Sequence, residues 1–425
     1  MREQTNFVNR IDWGIILLYF LLVIMGWLNI FAVVYDAQNP DLSIFDLDLN
    51  SGKQLIWIGT ATLLVFVIML TDFRFYDSFA YFIYGGMLLL LTFVLLFGTE
   101  VAGSKSWFAI GSFRLQPSEF AKFTTALAVA KFISSDSRTF DKLRSQLILF
   151  GIIAAPAMLI MLQGDTGTAM VFSAFLLAFY REGFSPLLLG LGIAMGVLFM
   201  LTLFVPKLYL MIAVVVTAFI LIGINSRKTK RIMIIAASAA AVAGVILSVD
   251  FIVTDVMKPH QQNRVKALIN PDADPLGYGW NVTQSKIAIG SGGLWGKGFL
   301  EGTQTKFDFV PEQSTDFIFC TIGEEHGWVG SILLIVLFVL LLVKLSSIAE
   351  RQKSTFARVY GYSVIGILFF HFGVNIGMTI GLFPVIGIPL PFFSYGGSSL
   401  WAFTILLFIM VKLDAHRMQI LNRVQ

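Results

Sequence analysis

The sequence predicts an all-α polytopic membrane protein, and three observations carry that prediction. Of 425 residues, 57% are hydrophobic and only 13% charged, with a mean hydropathy of +0.81. Soluble proteins carry roughly 25% charged residues, because charge keeps a surface wet, and half that density cannot coat a globule of this size. Long runs free of charge recur along the chain, and Lys and Arg gather in alternate connections between them. Nucleic-acid binding, a secreted disulfide scaffold and disorder are therefore set aside. Cys320 is the only cysteine, so no intrachain disulfide can form.

The individual elements follow from bilayer dimensions. A hydrocarbon core about 30 Å thick takes about 20 apolar residues per helix. Breaking the chain at charged clusters and at Pro or Gly turns leaves twelve candidate spans: Ile15 to Val34, Leu55 to Leu70, Phe79 to Phe97, Pro117 to Phe132, Leu147 to Leu162, Thr168 to Tyr180, Leu187 to Val205, Leu208 to Ile224, Ile232 to Val249, Trp328 to Val343, Val359 to Leu382 and Gly396 to Val411. The first begins after Asp12 with no small-residue cleavage site behind it, which reads as an anchor and not as a removable leader. Residues 1–425 thus read as one integral membrane domain.

Orientation comes from the connections. The runs SSDSRTFDKLR, NSRKTKR and KLSSIAERQKSTFAR are basic, as is the C-terminal KLDAHRMQILNRVQ, whereas YDAQNPDLSIFDLDLN and QGDTGT are acidic. Cations flanking a span resist translocation, so both termini are expected in the cytoplasm. One outward connection, 250–326, is about 75 residues long, a length uncommon unless the loop has a task. Its Trp280, Trp295 and Phe299 and its Gly-rich SGGLWGKGF suggest an ordered loop packed on the helices. No internal repeat is visible, which weakens an inverted-repeat transporter.

Charge inside a span costs roughly 2.5–3.5 kcal/mol and persists when paired or functional. In QPSEFAK, Pro117 suits a first helical turn that Gln116 or Ser118 can cap. Glu119 and Lys122 are three residues apart on one face and can pair, either as a structural element or against a substrate. Asp165 in QGDTGTA can cap the sixth span with Thr166 and Thr168, or line a polar path. The long loop holds the denser set: His260, Arg264, Lys266, Gln284, Lys286, Asp308, Glu312 and Asp316, residue types able to bind an anion and abstract a proton. Asp316 stands apart because STDFIFCTIGEE runs from it straight into apolar sequence, placing it at a membrane boundary. A half-desolvated carboxylate there is a candidate general base, and helix capping is the competing role. HExxH, Cys/His clusters, Walker loops and GxSxG are all missing, which leaves metalloprotease, NTPase and serine-hydrolase chemistry without support. The glycines of SGGLWGKG follow no strand and read as turn-formers.

Taken together, GSFRLQPSEFAK, QGDTGTA, NPDADPLGYGWNVTQSKIAIGSGGLWGKGFLEGTQTKFDFVPEQSTDFIFCTIGEEHGWVG and GIPLPFFSYGGSS resemble the SEDS family of shape, elongation, division and sporulation proteins, and GKGFLEGTQT resembles its elongation branch. The resemblance implies a SEDS-type helical bundle of about ten core spans and a peptidoglycan glycosyltransferase. Such an enzyme polymerises lipid II at the outer face of the bacterial cytoplasmic membrane beside a class B penicillin-binding protein. It places the catalytic aspartate on Asp316 and an accompanying acidic position, a candidate metal ligand, on Asp308. It also implies that Glu119 and Lys122 line the cavity, that Arg264 belongs to the loop site, and that a divalent cation, Mg or Mn, supports activity. Arg264, Lys122, Lys286 or the cation are candidates for holding the diphosphate, with Asp165 as a further polar contact.

Two departures accompany the resemblance. Gly164 and Thr166 stand where the family has Pro and Leu, so the local backbone there is expected to differ. The eighth and ninth spans, 208–249, read as an inserted helical hairpin peripheral to catalysis, because the apolar stretch of each contains no ionisable group. The rival reading is a flippase or transporter that moves a lipid-linked sugar, with Glu119, Lys122 and Asp165 as its path, and a weaker one is a scaffold that only holds a partner.

Overall fold

Apolar runs without breakers become helices, and polar residues at their ends decide where they begin. The computed structural model describes residues 10–35, 43–101, 103–111, 113–135, 140–225, 229–257, 262–265, 268, 278–307 and 309–417. Helix α1 (Trp13–Val34) starts where the Asp12 carboxylate accepts the Gly14 N–H, an N-cap that satisfies one of the open donors of the first turn. It is followed by α2 (Asn50–Leu70), the short α3 (Phe73–Ser78) capped by Asp72, and α4 (Ala80–Phe97). A small antiparallel sheet then forms from β1 (Thr99–Val101), β2 (Ser104–Ile110) and β3 (Phe113–Leu115), in that order. Register pairs Phe108 with Leu115 and Ile110 with Phe113, and the sheet delivers the chain directly to Pro117 at the start of α5 (Pro117–Ser135). The all-α reading did not include this sheet, whose strands are too short to leave a clear alternating pattern.

Helix α6 (Leu143–Leu162) is continuous, but the predicted sixth span is broken into α7 (Thr166–Val171), a 3₁₀ turn (Phe172–Ala174) and α8 (Phe175–Arg181). The break coincides with a close crossing, since a Cβ on Gly366 would stand 2.5 Å from the Ala174 carbonyl oxygen. After the loop helices α12 (Tyr278–Ser291) and α13 (Ile318–Glu325) come α14 (Gly327–Glu350), α15 (Thr355–Thr379) and α16 (Gly397–Ala415).

The chain divides into two compact units: residues 1–183 with 281–425, and residues 184–280. The second unit holds α9 (Pro186–Phe204), α10 (Lys207–Ile224) and α11 (Thr229–Phe251), with α10 paired against α11. Among the described residues, nine helices are long and apolar enough to cross a membrane. Three predicted spans fall outside that set: α5 carries Glu119, Lys122 and Lys131, the sixth is broken, and the seventh, in α9, counts only as the shorter apolar helix Leu189–Phe204. Helices α15 and α16 form the centre of the first unit, with 72% and 83% of their apolar windows buried against 17% for α2 and α4.

Helix α14 has 24 residues, so its ends lie about 36 Å apart. At its C-terminal end, Arg351 pairs with Asp414 and Asp12, joining α14 to α16 and α1, while Arg181–Glu350 (2.7 Å) and Arg358–Glu182 (2.6 Å) tie α8 to α14 and α15. At its N-terminal end the Gly-rich stretch docks backbone to backbone: Lys297 and Gly298 N–H donate to the Glu324 and Glu325 carbonyls, and Trp328 N–H donates to the Gly293 carbonyl. Glycine is required for the approach, because a Cβ on Gly296 would lie 2.0 Å from the Glu325 carbonyl oxygen. Trp295, by contrast, is 75% exposed, so glycines and not this tryptophan anchor the loop.

Gly296 also has φ +81. Gly296→Ala is therefore expected to destabilise the protein by about 2–4 kcal/mol through overpacking and left-handed strain, read as a lowered Tm in detergent, whereas Gly290→Ala, with nothing within 4 Å of the added Cβ, should be tolerated.

Candidate functional site

Helix α5 opens with polar residues in a place where water is scarce, and each has a partner. Glu119 and Lys122 are 3% and 1% exposed and their side chains meet at 2.9 Å, the i,i+3 pair expected from the sequence. The Lys122 ammonium also contacts His371 Nε2 on α15 at 3.0 Å and sits 4.4 Å above the Phe403 ring on α16. His371 Nδ1 lies 3.1 Å from the Pro389 carbonyl oxygen. A carbonyl only accepts, so Nδ1 carries the proton and Nε2 receives the lysine N–H. One ammonium thereby links three helices through a carboxylate, an imidazole and an aromatic face.

Asp165 joins the first turn of α5 to α7. Its Oδ1 accepts Thr168 N–H at 3.0 Å as the N-cap of α7, and its Oδ2 accepts from Gln116 Nε2 at 2.9 Å and Ser118 Oγ at 3.3 Å. Gln116 and Ser118 thus direct their side chains to Asp165. Gln116 N–H in turn donates to Ser398 Oγ at the start of α16 (3.1 Å), so the N-terminal ends of α5, α7 and α16 converge.

Asp316 is half-buried at the C-terminal end of α15. Fully buried Asn375 donates from Nδ2 to both the Asp316 and Ile388 carbonyls at 2.8 Å, Ser394 Oγ donates to the Thr315 carbonyl at 2.6 Å, and Tyr395 N–H donates to the Ser314 carbonyl at 2.9 Å. Its carboxylate lies over Gly387, where an added Cβ would be 3.2 Å from Oδ2 at a backbone φ of +77. The N-cap of α13 is Phe317, one residue beyond Asp316. Four residues along α15 from Asn375, about 6 Å by helical rise, Ser285 Oγ on α12 donates to the Thr379 carbonyl at 2.9 Å. The next residue of α12, Lys286, is exposed, and its Nζ comes within 3.5 Å of where a Cβ on Gly381 would stand. Asp316 and Lys286 are therefore both fixed on one end of α15.

Arg264 lies half-buried in the second unit, and Asp308, His260 and Lys266 fall outside the described residues. Among the described residues no three His, Cys, Asp or Glu side chains converge to hold a metal ion. The sequence reading missed His371 and Asn375. Both are isolated polar residues in an otherwise apolar predicted span, and that position was the available signal.

A third cluster lies where the loop meets α13. Glu324, fully buried, accepts six hydrogen bonds: Oε1 from Lys297 Nζ (2.6 Å), Thr303 N (2.8 Å), Gln304 N (2.9 Å) and Thr303 Oγ1 (3.1 Å), and Oε2 from Thr305 Oγ1 (2.8 Å) and Thr305 N (3.0 Å). Burial alone would raise this carboxyl, but the bonds from Lys297, Gln304, Thr303 and Thr305 outweigh it and hold it at about 2. Neighbouring Glu325 is as deeply buried and neither oxygen has a well-formed hydrogen bond. Burial pushes it up to about 7, and the Leu300 and Gly302 amides and the Lys306 charge oppose the rise only in part.

A many-helix membrane protein with an ion pair locked inside it and a carboxylate fixed at one end of a central helix is the class this geometry defines. Within that class the chain belongs to the Cell cycle protein family of FtsW, RodA and SpoVE, whose family model matches residues 12–210 and 180–419; its members are the SEDS proteins, and this chain is RodA-like. It is 32% identical to the peptidoglycan glycosyltransferase RodA of Treponema pallidum, covering 97% of this chain and 99% of that one. It is also 32% identical to the peptidoglycan glycosyltransferase MrdB of Escherichia coli K12, covering 93% of each. A chain from a structure of a peptidoglycan synthase complex that coordinates polymerization and crosslinking superposes with a TM-score of 0.67 at 26% identity, over 96% of this chain and 99% of that chain. The rod shape determining protein RodA of Thermus thermophilus shares the fold at a TM-score of 0.61 and 24% identity, covering 96% and 98%.

Removing one member of the buried pair should cost more than removing both. Lys122→Ala leaves the Glu119 carboxylate stranded, at about 3–5 kcal/mol, and Glu119→Ala with Lys122→Ala should recover part of that stability in detergent unfolding; strictly additive losses would contradict the pairing. For Glu325 the folded value, about 7, is above the ordinary 4.5. Its contribution is thus fully present below pH 4.5 and is lost as pH rises through 7, by about 3 kcal/mol. Glu325→Gln should raise Tm at pH 8 and leave it unchanged near pH 4.5.

Proposed function

We propose that this protein is a peptidoglycan glycosyltransferase of the elongation type, polymerising lipid II into β-1,4 glycan strands at the outer face of the bacterial cytoplasmic membrane. The observation that carries the reading is the fixed placement of Asp316 and Lys286 on one end of α15, in a chain that belongs to a family whose curated relatives are named peptidoglycan glycosyltransferases. A base and a cation on the same end of one helix suit a displacement in which a hydroxyl gains a bond as a diphosphate departs.

In that reaction the 4-hydroxyl oxygen of an acceptor GlcNAc bonds to C1 of a donor MurNAc, and the bond from C1 to the undecaprenyl diphosphate oxygen breaks. The centre inverts, the hydroxyl proton passes to the Asp316 carboxylate, and the electron pair leaves with the diphosphate. Lys286 is the cation proposed to meet the departing phosphate. Asp165, Glu119 and Lys122 shape the interior beneath the reacting end. A divalent cation, Mg or Mn, would supply further positive charge, with Asp308 as its candidate ligand.

Orientation supports the same placement. Helix α14 ends in the Lys344 and Arg351 cluster, and the basic connections of the sequence support a cytoplasmic position for that end and for both termini. The Asp316 end, about 36 Å away along the helix, then faces outward, where lipid II is polymerised. A class B penicillin-binding protein is the expected partner, since one superposing chain comes from a peptidoglycan synthase complex.

Asp316→Asn retains shape and removes basicity. It is expected to insert and fold normally and to lower polymerisation of purified lipid II by about 10²–10⁴-fold. Near-normal glycan synthesis by the purified variant would refute the assignment of the base.

A further inference from the structure

We infer that Glu324 is a positioning residue for glycosyl transfer, holding in place the stretch of chain that ends at Asp316. This deepens the proposed function and rests on its assignment of Asp316. The carboxylate sits on α13, which begins two residues after Asp316, and it gathers three consecutive backbone N–H groups, those of Thr303, Gln304 and Thr305, together with two threonine hydroxyls and Lys297. Residues 303–305 and 324 are thereby clasped, and the chain between Thr305 and Glu324 becomes a closed loop with Asp316 on it.

The loop has a second attachment. Asn375, Ser394 and the Tyr395 N–H hold the carbonyls of residues 314–316, so the segment is fixed from α15 on one side and through Glu324 on the other. Releasing one side leaves the segment attached and folded but free to shift, and a displacement near 1 Å in a reacting group can cost on the order of a hundredfold in rate. Glutamine has the shape of glutamate, yet its amide nitrogen donates and cannot accept. Glu324→Gln therefore loses the acceptor at one oxygen position and the charge that draws in Lys297. Glu324 touches no reacting group in this reading, which separates it from Asp316.

The test uses the purified full-length chain, lipid II and hydrogen exchange. Glu324→Gln is expected to lower kcat by about tenfold to a hundredfold with KM for lipid II unchanged within about twofold, and to remove exchange protection at the Thr303, Gln304 and Thr305 amides while amides of α15 and α16 stay protected. Thr305→Val, which deletes a single hydroxyl bond and keeps the shape, should lower kcat in the same direction by a few-fold with no change in Tm, and it decides the matter if Glu324→Gln does not fold. Wild-type kcat in a folded Glu324→Gln protein overturns the inference, as does a rise in KM with kcat intact. The base assignment fails separately: if Asp316→Asn keeps polymerising, Asp316 is not the base, whatever the exchange pattern at 303–305.

Discussion

A charge buried in a hydrocarbon-sized bundle has to be answered from within the protein, and the Lys122 ammonium is where this structure meets that constraint. Its partners come from α5 itself, from α15 and from α16, which obliges those three helices to pack together. They do: α15 and α16 are the most buried of the apolar helices, and α5 is buried along most of its length. His371 must keep its proton on Nδ1 for Lys122 to donate to Nε2, so the Pro389 carbonyl, which fixes that tautomer, belongs to the same network. The loop leading into α16 is consequently held against α15, and that loop also carries Gly387 and Ser394, the contacts that place Asp316.

Much of this was legible in the sequence, and the reasons are specific. Helices α1, α4 and α16 begin and end close to where charge and Pro or Gly interrupt the apolar runs, whereas α14 begins as expected but continues past Lys344 to Glu350. The Glu119–Lys122 pair could be read because i,i+3 spacing on a helix is a fixed geometry. Asp165 could be read as a cap because Asp before Thr-Gly-Thr is a helix start, although its second oxygen and its bonds to Gln116 and Ser118 are tertiary and leave no local signature. His371 and Asn375 escaped because their partners, Lys122 and the Asp316 carbonyl, are 249 and 59 residues away. The glycines around Gly296 were read as turns, and their positive φ values agree, but their closer purpose is the backbone crossing over Glu325. The broken sixth span and the small sheet depend on contacts that periodicity does not report.

The two ends of the first unit are held by different chemistry, and the difference suits their roles. At one end guanidinium–carboxylate pairs join α1, α8, α14, α15 and α16, several of them partly exposed, where each contributes little but the network closes the bundle. At the other end the ties run through backbone carbonyls of residues 314–316, taken by Asn375, Ser394 and the Tyr395 amide. These main-chain ties set the position of the segment that carries Asp316.

Burial separates the two lysines offered for the diphosphate. To reach a phosphate, Lys122 would have to leave a 1%-exposed site in which Glu119 would remain as an uncompensated buried charge, a loss of about 3–5 kcal/mol before any gain. Lys286 is exposed on a helix already fixed by Ser285 to the Thr379 carbonyl, so engaging a ligand costs it at most about 2 kcal/mol of side-chain freedom. An ammonium that gives up solvent gains more from a doubly charged oxygen cluster than one that must first abandon a buried partner. The interior pair therefore holds the bundle in register, and the exposed Lys286 of α12 is the lysine proposed to meet the leaving group.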